Sequence, residues 1–172
     1  MRALRRLLAV AATVLCLSVT MSSSAFATGD DYPWRTSTTN AADRWGFTQR
    51  QCVSFVAWRE AQHMHSLNNY TQHWGSALNW DSVATARGVT VSTRPVVGAI
   101  AQWNAYEKSP WWANGSSTAN GYVEAGGYGH DARVRSVNSD GSVWVEQYNM
   151  FGNRSYSVMR LKAPRYIYYG VG

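Results

Sequence analysis

The sequence predicts an α+β domain, with helices first and an antiparallel sheet after them, and three observations carry that reading. Apolar residues recur at helical spacing just after Thr48, and a second helical pattern closes at Gly88. From Val89 onward, short runs rich in β-branched and aromatic residues alternate with turn residues.

The order of elements begins with a leader. Arg2, Arg5 and Arg6 form a cationic start, Leu7 to Val19 is an apolar stretch too short to span a bilayer comfortably, and Ala25-Phe26-Ala27 supplies a small-x-small cleavage signal. Residues 1–27 are therefore expected to be a signal peptide, and residues 28–172 a single exported domain of about 145 residues, enough to bury a core without staples. Cys16 lies inside the apolar stretch after Thr13-Val14-Leu15, lacks the small residues of a lipoprotein processing site, and should leave with the leader. No other stretch is long and apolar enough to cross a membrane. Of the 16 basic residues three belong to the leader, so 13 stand against 10 acidic ones in the remainder, a net charge of +3. That modest excess is read either as solubility alone or as attraction to an anionic polymer such as a bacterial wall. Its scatter along the chain argues against nucleic acid. Nine tryptophans and ten tyrosines point mostly to core, with some left over for stacking on sugars or peptides.

Gly29 to Ala42 is polar and turn-rich, and it is expected to be an arm. Thr48 with Gln51 three residues on has the capping-box pattern, which predicts a helix from about Gln49 to His63 with Thr48 as its N-cap. A second helix is expected over Asn79 to Arg87, closed by Gly88. Strands are expected at Val89 to Val91, Val96 to Trp103, Asp131 to Val137, Ser142 to Asn149, Tyr156 to Leu161 and Tyr166 to Tyr169. Asn104 to Tyr128, rich in Gly, Asn and Ser, is expected to be a long functional loop.

The chemistry centres on Cys52, the lone cysteine after the leader. A secreted chain cannot use a single thiol for an internal disulfide, so the residue is reactive, an intermolecular tether, or an inert small hydrophobe. Near a helix start, unpaired amides and the helix dipole favour the thiolate and can hold an oxyanion. A thiol nucleophile needs a base, and there are four histidines. His63 and His65 lie about 16 Å along the same helix, too far to reach and wrongly spaced for a metal, and should face solvent. His73 stays open. His130 is the better candidate because it follows Gly126-Gly127-Tyr128-Gly129 and opens a strand.

Asn138-Ser139-Asp140-Gly141 is a turn signal that pairs Val137 with Ser142. The same antiparallel register then sets Val134 opposite Val145, Ala132 opposite Gln147 and His130 opposite Asn149. One face of that hairpin is apolar with a polar end. The other, with Asp131, Arg133 and Arg135 against Glu146, is expected to be solvated, with Arg133 and Glu146 as a surface ion pair. Gln147 or Asn149 is thus the expected orienter of the imidazole. Glu146 is the alternative should the register slip by one.

Taken together, Gln51-Cys52-Val53-Ser54-Phe55-Val56-Ala57-Trp58-Arg59, Pro95 to Trp103, Gly129-His130, and Ser136 to Val143 resemble the CHAP domain, the cysteine- and histidine-dependent amidohydrolases/peptidases. Asp30-Asp31-Tyr32-Pro33 resembles the start of secreted members. The resemblance implies a papain-like α+β fold and a secreted peptidoglycan hydrolase. Such an enzyme would cleave either the amide between N-acetylmuramic acid and L-alanine or a bond of the peptide stem or bridge. It also implies Cys52 as nucleophile and His130 as base, with no metal or cofactor, peptidoglycan as the partner, and a monomer. The family commonly places a glutamate two residues before an asparagine at the end of the second hairpin strand. Here Asn149 matches the asparagine, whereas the glutamate position holds Gln147 and Glu146 stands one place off. A catalytically silent wall- or carbohydrate-binding module is the alternative function.

Overall fold

The computed structural model describes residues 29–171, so the leader expected at 1–27 and Cys16 lie outside the described residues. Among the described residues, helices occupy the first half and strands the second. Helix α1 spans Cys52–Gln62, α2 is a single turn at Asn69–Gln72, and α3 covers Trp80–Ala86 after a 3-10 turn at Ala77–Asn79. The strands are β1 Val91–Ser92, β2 Ile100–Trp103, β3 Lys108–Trp112, β4 Gly121–Glu124, β5 His130–Val137, β6 Val143–Tyr148, β7 Tyr156–Leu161 and β8 Arg165–Ile167. They form one antiparallel sheet in the order β1-β8-β2-β5-β6-β7-β3-β4.

The two strands that matter most, β5 and β6, sit at the middle of that sheet, and α1 packs on them. Side chains alternate across the sheet, giving a core on each side. Phe55, Val56 and Trp58 of α1 join Ile100, Tyr148 and Ile167 on one side. Ala101, Trp103, Ala132, Val134, Val145 and Leu161 form the other.

Several expectations need correction. The first helix starts at Cys52 rather than Gln49, and its N-cap is Gln51 without a side-chain cap bond, not Thr48. The cause is Arg50, whose φ of 60° lies in the left-handed region and interrupts any helix begun earlier. The 104–128 segment is not an open loop, because Lys108–Trp112 and Gly121–Glu124 pair as a hairpin that extends the sheet beyond β7. Its glycines, serines and Pro110 hid that strand pattern. Strand β2 begins only at Ile100, because Gly98 at φ 88° makes a turn closed by the Ala99 N–H on the Val96 carbonyl. The expected arm also supplies core. Tyr32 is fully buried against Trp34, Phe55, Trp58 and Tyr148, with its hydroxyl 2.5 Å from Ser54 Oγ. The second helix agrees with expectation, with Gly88 at φ 73° just past its end.

The hairpin register holds in its centre and differs at its tip. Val134 faces Val145 and Arg133 faces Glu146 as expected, but Val137 pairs with Val143 rather than Ser142. A bulge between Val134 and Ser136 absorbs the extra loop residue, so the tip slips by one while Val134 and Arg133 keep their expected partners.

The face expected to be solvated is buried. Arg133 and Glu146 are almost wholly covered, because α1 lies over them and brings its own charges. Glu146 takes Arg59 at 2.9 Å, and Arg133 takes Glu60 at 3.1 Å. Arg59 also reaches Asp31 of the arm at 2.8 Å, and Glu60 reaches His65 at 3.1 Å, so His65 is tied to the protein rather than free in solvent. Buried charges persist only when paired, and here the pairing runs from helix to sheet rather than between neighbouring strands.

Candidate active site

Cys52 is the first helical residue of α1 because the chain just before it is pinned. Arg50 donates from Nη1 to the Ser37 carbonyl at 2.8 Å and from Nε and Nη2 to the Arg154 carbonyl at 3.0 and 2.6 Å, while its backbone N–H reaches Tyr32 Oη at 3.2 Å. Those bonds hold a left-handed residue in place and fix where the helix can begin. The Cys52 side chain therefore stands among helix-start amides that no earlier carbonyl uses.

Three backbone N–H groups, those of Asp131, Val53 and Cys52, favour the sulfur's anion. The first is one residue beyond His130, so the start of β5 meets the start of α1 at this atom. Cys52 keeps part of its surface open and lines a groove of about 600 Å³ together with Phe47, Gln51, Ser76, Tyr128 and Asn149. Burial of the sulfur, followed by the Asp131 carboxylate, outweighs the three amides and pushes the thiol up to about 12.

His130, the residue before Asp131, is buried, its ring 5.7 Å from that of Trp103. Gly129 makes the placement possible. Its φ is 73°, and a Cβ there would lie 2.5 Å from the Leu78 nitrogen and the Trp103 carbonyl oxygen, so only glycine fits. The His130 Nε2 lies 2.9 Å from Gln147 Oε1. Gln147 uses its amide nitrogen on Ser157 Oγ and Met159 Sδ, and a thioether sulfur only accepts. The glutamine oxygen thus faces the ring, Nε2 donates to it, and Nδ1 is the acceptor of a neutral imidazole. Burial lowers His130 to about 4, against a smaller upward pull from Gln147.

Asn149 is bonded elsewhere than expected. Its Nδ2 donates to Gln51 Oε1 at 2.6 Å and its Oδ1 accepts the Arg154 N–H at 2.7 Å. It fixes the residue before Cys52 and the wall of the groove, with Gln147 left as the partner of the ring. Glu146 points to the α1 side and belongs to the Arg59 ion pair. His73 is exposed in the left-handed turn after α2, and no cluster of metal-ligating side chains exists among the described residues.

Residues 42–149, from before α1 to the end of β6, match the family model described as the CHAP domain. The chain belongs to the CHAP domain family. It is 35% identical over 113 residues to N-acetylmuramoyl-L-alanine amidase sle1 of Staphylococcus epidermidis, covering 64% of this chain and 28% of that protein. To the Staphylococcus aureus protein of the same name it is 34% identical over 103 residues, covering 60% of this chain and 24% of the relative. A crystal structure of N-acetylmuramoyl-L-alanine amidase from Staphylococcus aureus superposes with a TM-score of 0.55 at 26% identity, covering 81% of this chain and 37% of that one. The chain thus spans about a quarter of the length of the curated relatives it matches. The α+β, papain-like expectation agrees with the CHAP fold, the helix start meeting the central strands of an antiparallel sheet.

Sequence reasoning placed His130 and Gln147 on one side of the hairpin and missed Asp131, which it assigned to a solvated face. The legible signal was the acid directly after Gly129-His130, in a strand otherwise suited to burial.

Proposed function

We propose that this protein is an exported peptidoglycan hydrolase in which Cys52 attacks an amide carbonyl of the bacterial wall. The observation that carries it is the convergence of the Cys52 sulfur, set at a helix start on an open groove, with the β5 strand that bears a neutral, hydrogen-bonded His130. The leader at residues 1–27, with cleavage before Thr28, is the export signal in this reading, and the 28–172 domain acts as a monomer.

His130 Nδ1 takes the Cys52 proton, and the thiolate adds to the carbonyl carbon. Backbone amides at the start of α1 hold the oxyanion. The nitrogen leaves with the proton from His130, and water, activated by the same imidazole, releases the acyl group from sulfur. Gln147 holds the ring in the Nε2–H tautomer, and Asn149 holds Gln51 against the groove. The names of the relatives favour the amide between N-acetylmuramic acid and L-alanine over a bond within the peptide.

Cys52→Ala is expected to abolish release of new amino termini from purified peptidoglycan while the melting curve stays cooperative; undiminished release would overturn the reading. A second reading, a silent wall-binding module, is favoured by Gln147 standing where a carboxylate would support an imidazolium. It predicts sedimentation with peptidoglycan and no new amino termini even from the unaltered protein. Mass spectrometry of released fragments separates amidase from endopeptidase.

A further inference from the structure

Asp131 is a fully buried carboxylic acid with no hydrogen-bond partner for either oxygen among the described residues. Such a group is costly unless something uses it. Its neighbours are already committed. Gln102, opposite it on β2, donates from Nε2 to the Ala77 carbonyl and to Asn104 Oδ1, and accepts Arg165 Nη1 on Oε1. His130 Nε2 is committed to Gln147. Asp81 of α3, whose charge acts on the Asp131 carboxyl, is itself acidic and is held by Asn104 Nδ2 and Arg165. The remaining titratable group is Cys52, whose sulfur lies within reach of both the Asp131 backbone N–H and its carboxyl charge.

We infer that Asp131 and Cys52 form a like-charge pair that holds one negative charge, so that Asp131 acts through the sulfur as a brake on thiolate formation. The backbone amide of the residue favours the anion at sulfur, while its side chain opposes it whenever ionised. Burial and Asp81 hold the carboxyl well above the usual carboxylate range, which keeps the acid neutral over part of the pH scale and charged above it. In acid, Asp131 is uncharged and the brake is off, but the thiol is protonated for its own reasons. As pH rises the carboxylate forms first and delays the thiolate. This role rests on the proposed use of Cys52 as nucleophile, but it is measured without any wall substrate.

The test is the pH profile of Cys52 alkylation by iodoacetamide in the full chain, followed on the Cys52 peptide by mass spectrometry. Asp131→Asn is expected to move the midpoint to lower pH by at least one unit, making alkylation about tenfold faster wherever Asp131 is ionised and the pH lies below both midpoints, with the gain fading in acid where the carboxyl is neutral. Asp131→Val, which suits a buried strand position, should shift it the same way, and it serves where the Asn variant melts early. A merely structural role changes the melting temperature and leaves the midpoint in place. An unmoved midpoint in whichever variant folds, or one moved upward, overturns the inference. Loss of hydrolysis alongside a lowered midpoint would bear on the wall-hydrolase reading and not on this one.

Discussion

The two sides of the β5–β6 hairpin handle polarity in opposite ways. Under α1, Arg59 with Glu146, and Arg133 with Glu60, are charges buried in mutual contact, and Arg59 also reaches the exposed Asp31. On the other side, His130 and Gln147 form a neutral pair in an apolar setting, and at the junction of the two the Asp131 carboxyl has no hydrogen-bond partner among the described residues. The first arrangement locks helix to sheet. The second leaves the imidazole uncharged, which the proposed reaction requires before it can take a proton from the thiol. Charge is paired where it fixes the fold and, in the proposed reading, withheld where it would govern reactivity.

If that division is right, Arg59→Ala acts on stability first. It strips Glu146 of its buried partner, and breaking one side of such a pair costs about 3–5 kcal/mol. Denaturant unfolding should show that loss, while the Cys52 alkylation midpoint of the folded protein stays where it was. A shift of that midpoint would break the comparison by showing that the ion pairs feed the site. His130→Ala is the mirror case. Loss of a positioned base lowers hydrolysis by about 10²- to 10⁴-fold. Its stability cost, from the unpaired Gln147 oxygen and the vacated ring, should be about 1–3 kcal/mol, less than for Arg59→Ala. Turnover measured beside unfolding decides which effect dominates.

Much of this division was legible in the sequence, for reasons specific to each residue. His130 and Gln147 share a face because side chains alternate and the Val134–Val145 pair sets the register, and the bulge near Ser136 lies on the tip side of that pair. The buried ion pairs were not legible. Arg59 and Glu60 look like the polar stripe of a surface helix, and nothing local shows that β5 and β6 offer Arg133 and Glu146 to meet them. The start of α1 was misplaced for a related reason. Thr48 and Gln51 form a valid capping box by pattern, but Arg50 is drawn into a left-handed conformation by carbonyls of Ser37 and Arg154, one of them more than a hundred residues away in sequence. The hairpin at 108–124 was hidden because its strand residues are interrupted by Ser109-Pro110 and divided by a polar turn, and its pairing to β7 becomes visible only in three dimensions.

The smallest expected effect is also the one that most directly probes the neutral side. His130 is held near 4 in the fold, whereas an unfolded histidine takes its proton near 6.5. Between those values the unfolded chain binds the extra proton, so the stability tied to a neutral His130 is complete above about 6.5 and drains away as pH falls toward about 4, with a slope of up to about 1.4 kcal/mol per pH unit. Gln147→Glu places a carboxylate on Nε2, favours the imidazolium and raises His130, so the fall in melting temperature over that window should become shallower. The acid limb of hydrolysis should move to higher pH in step, because the base is occupied earlier. If the melting profile flattens and the activity limb stays fixed, His130 is a structural residue whose proton does not serve the reaction. If both move together, the neutrality that burial imposes, and that an uncharged Gln147 leaves in place, is what tunes the base.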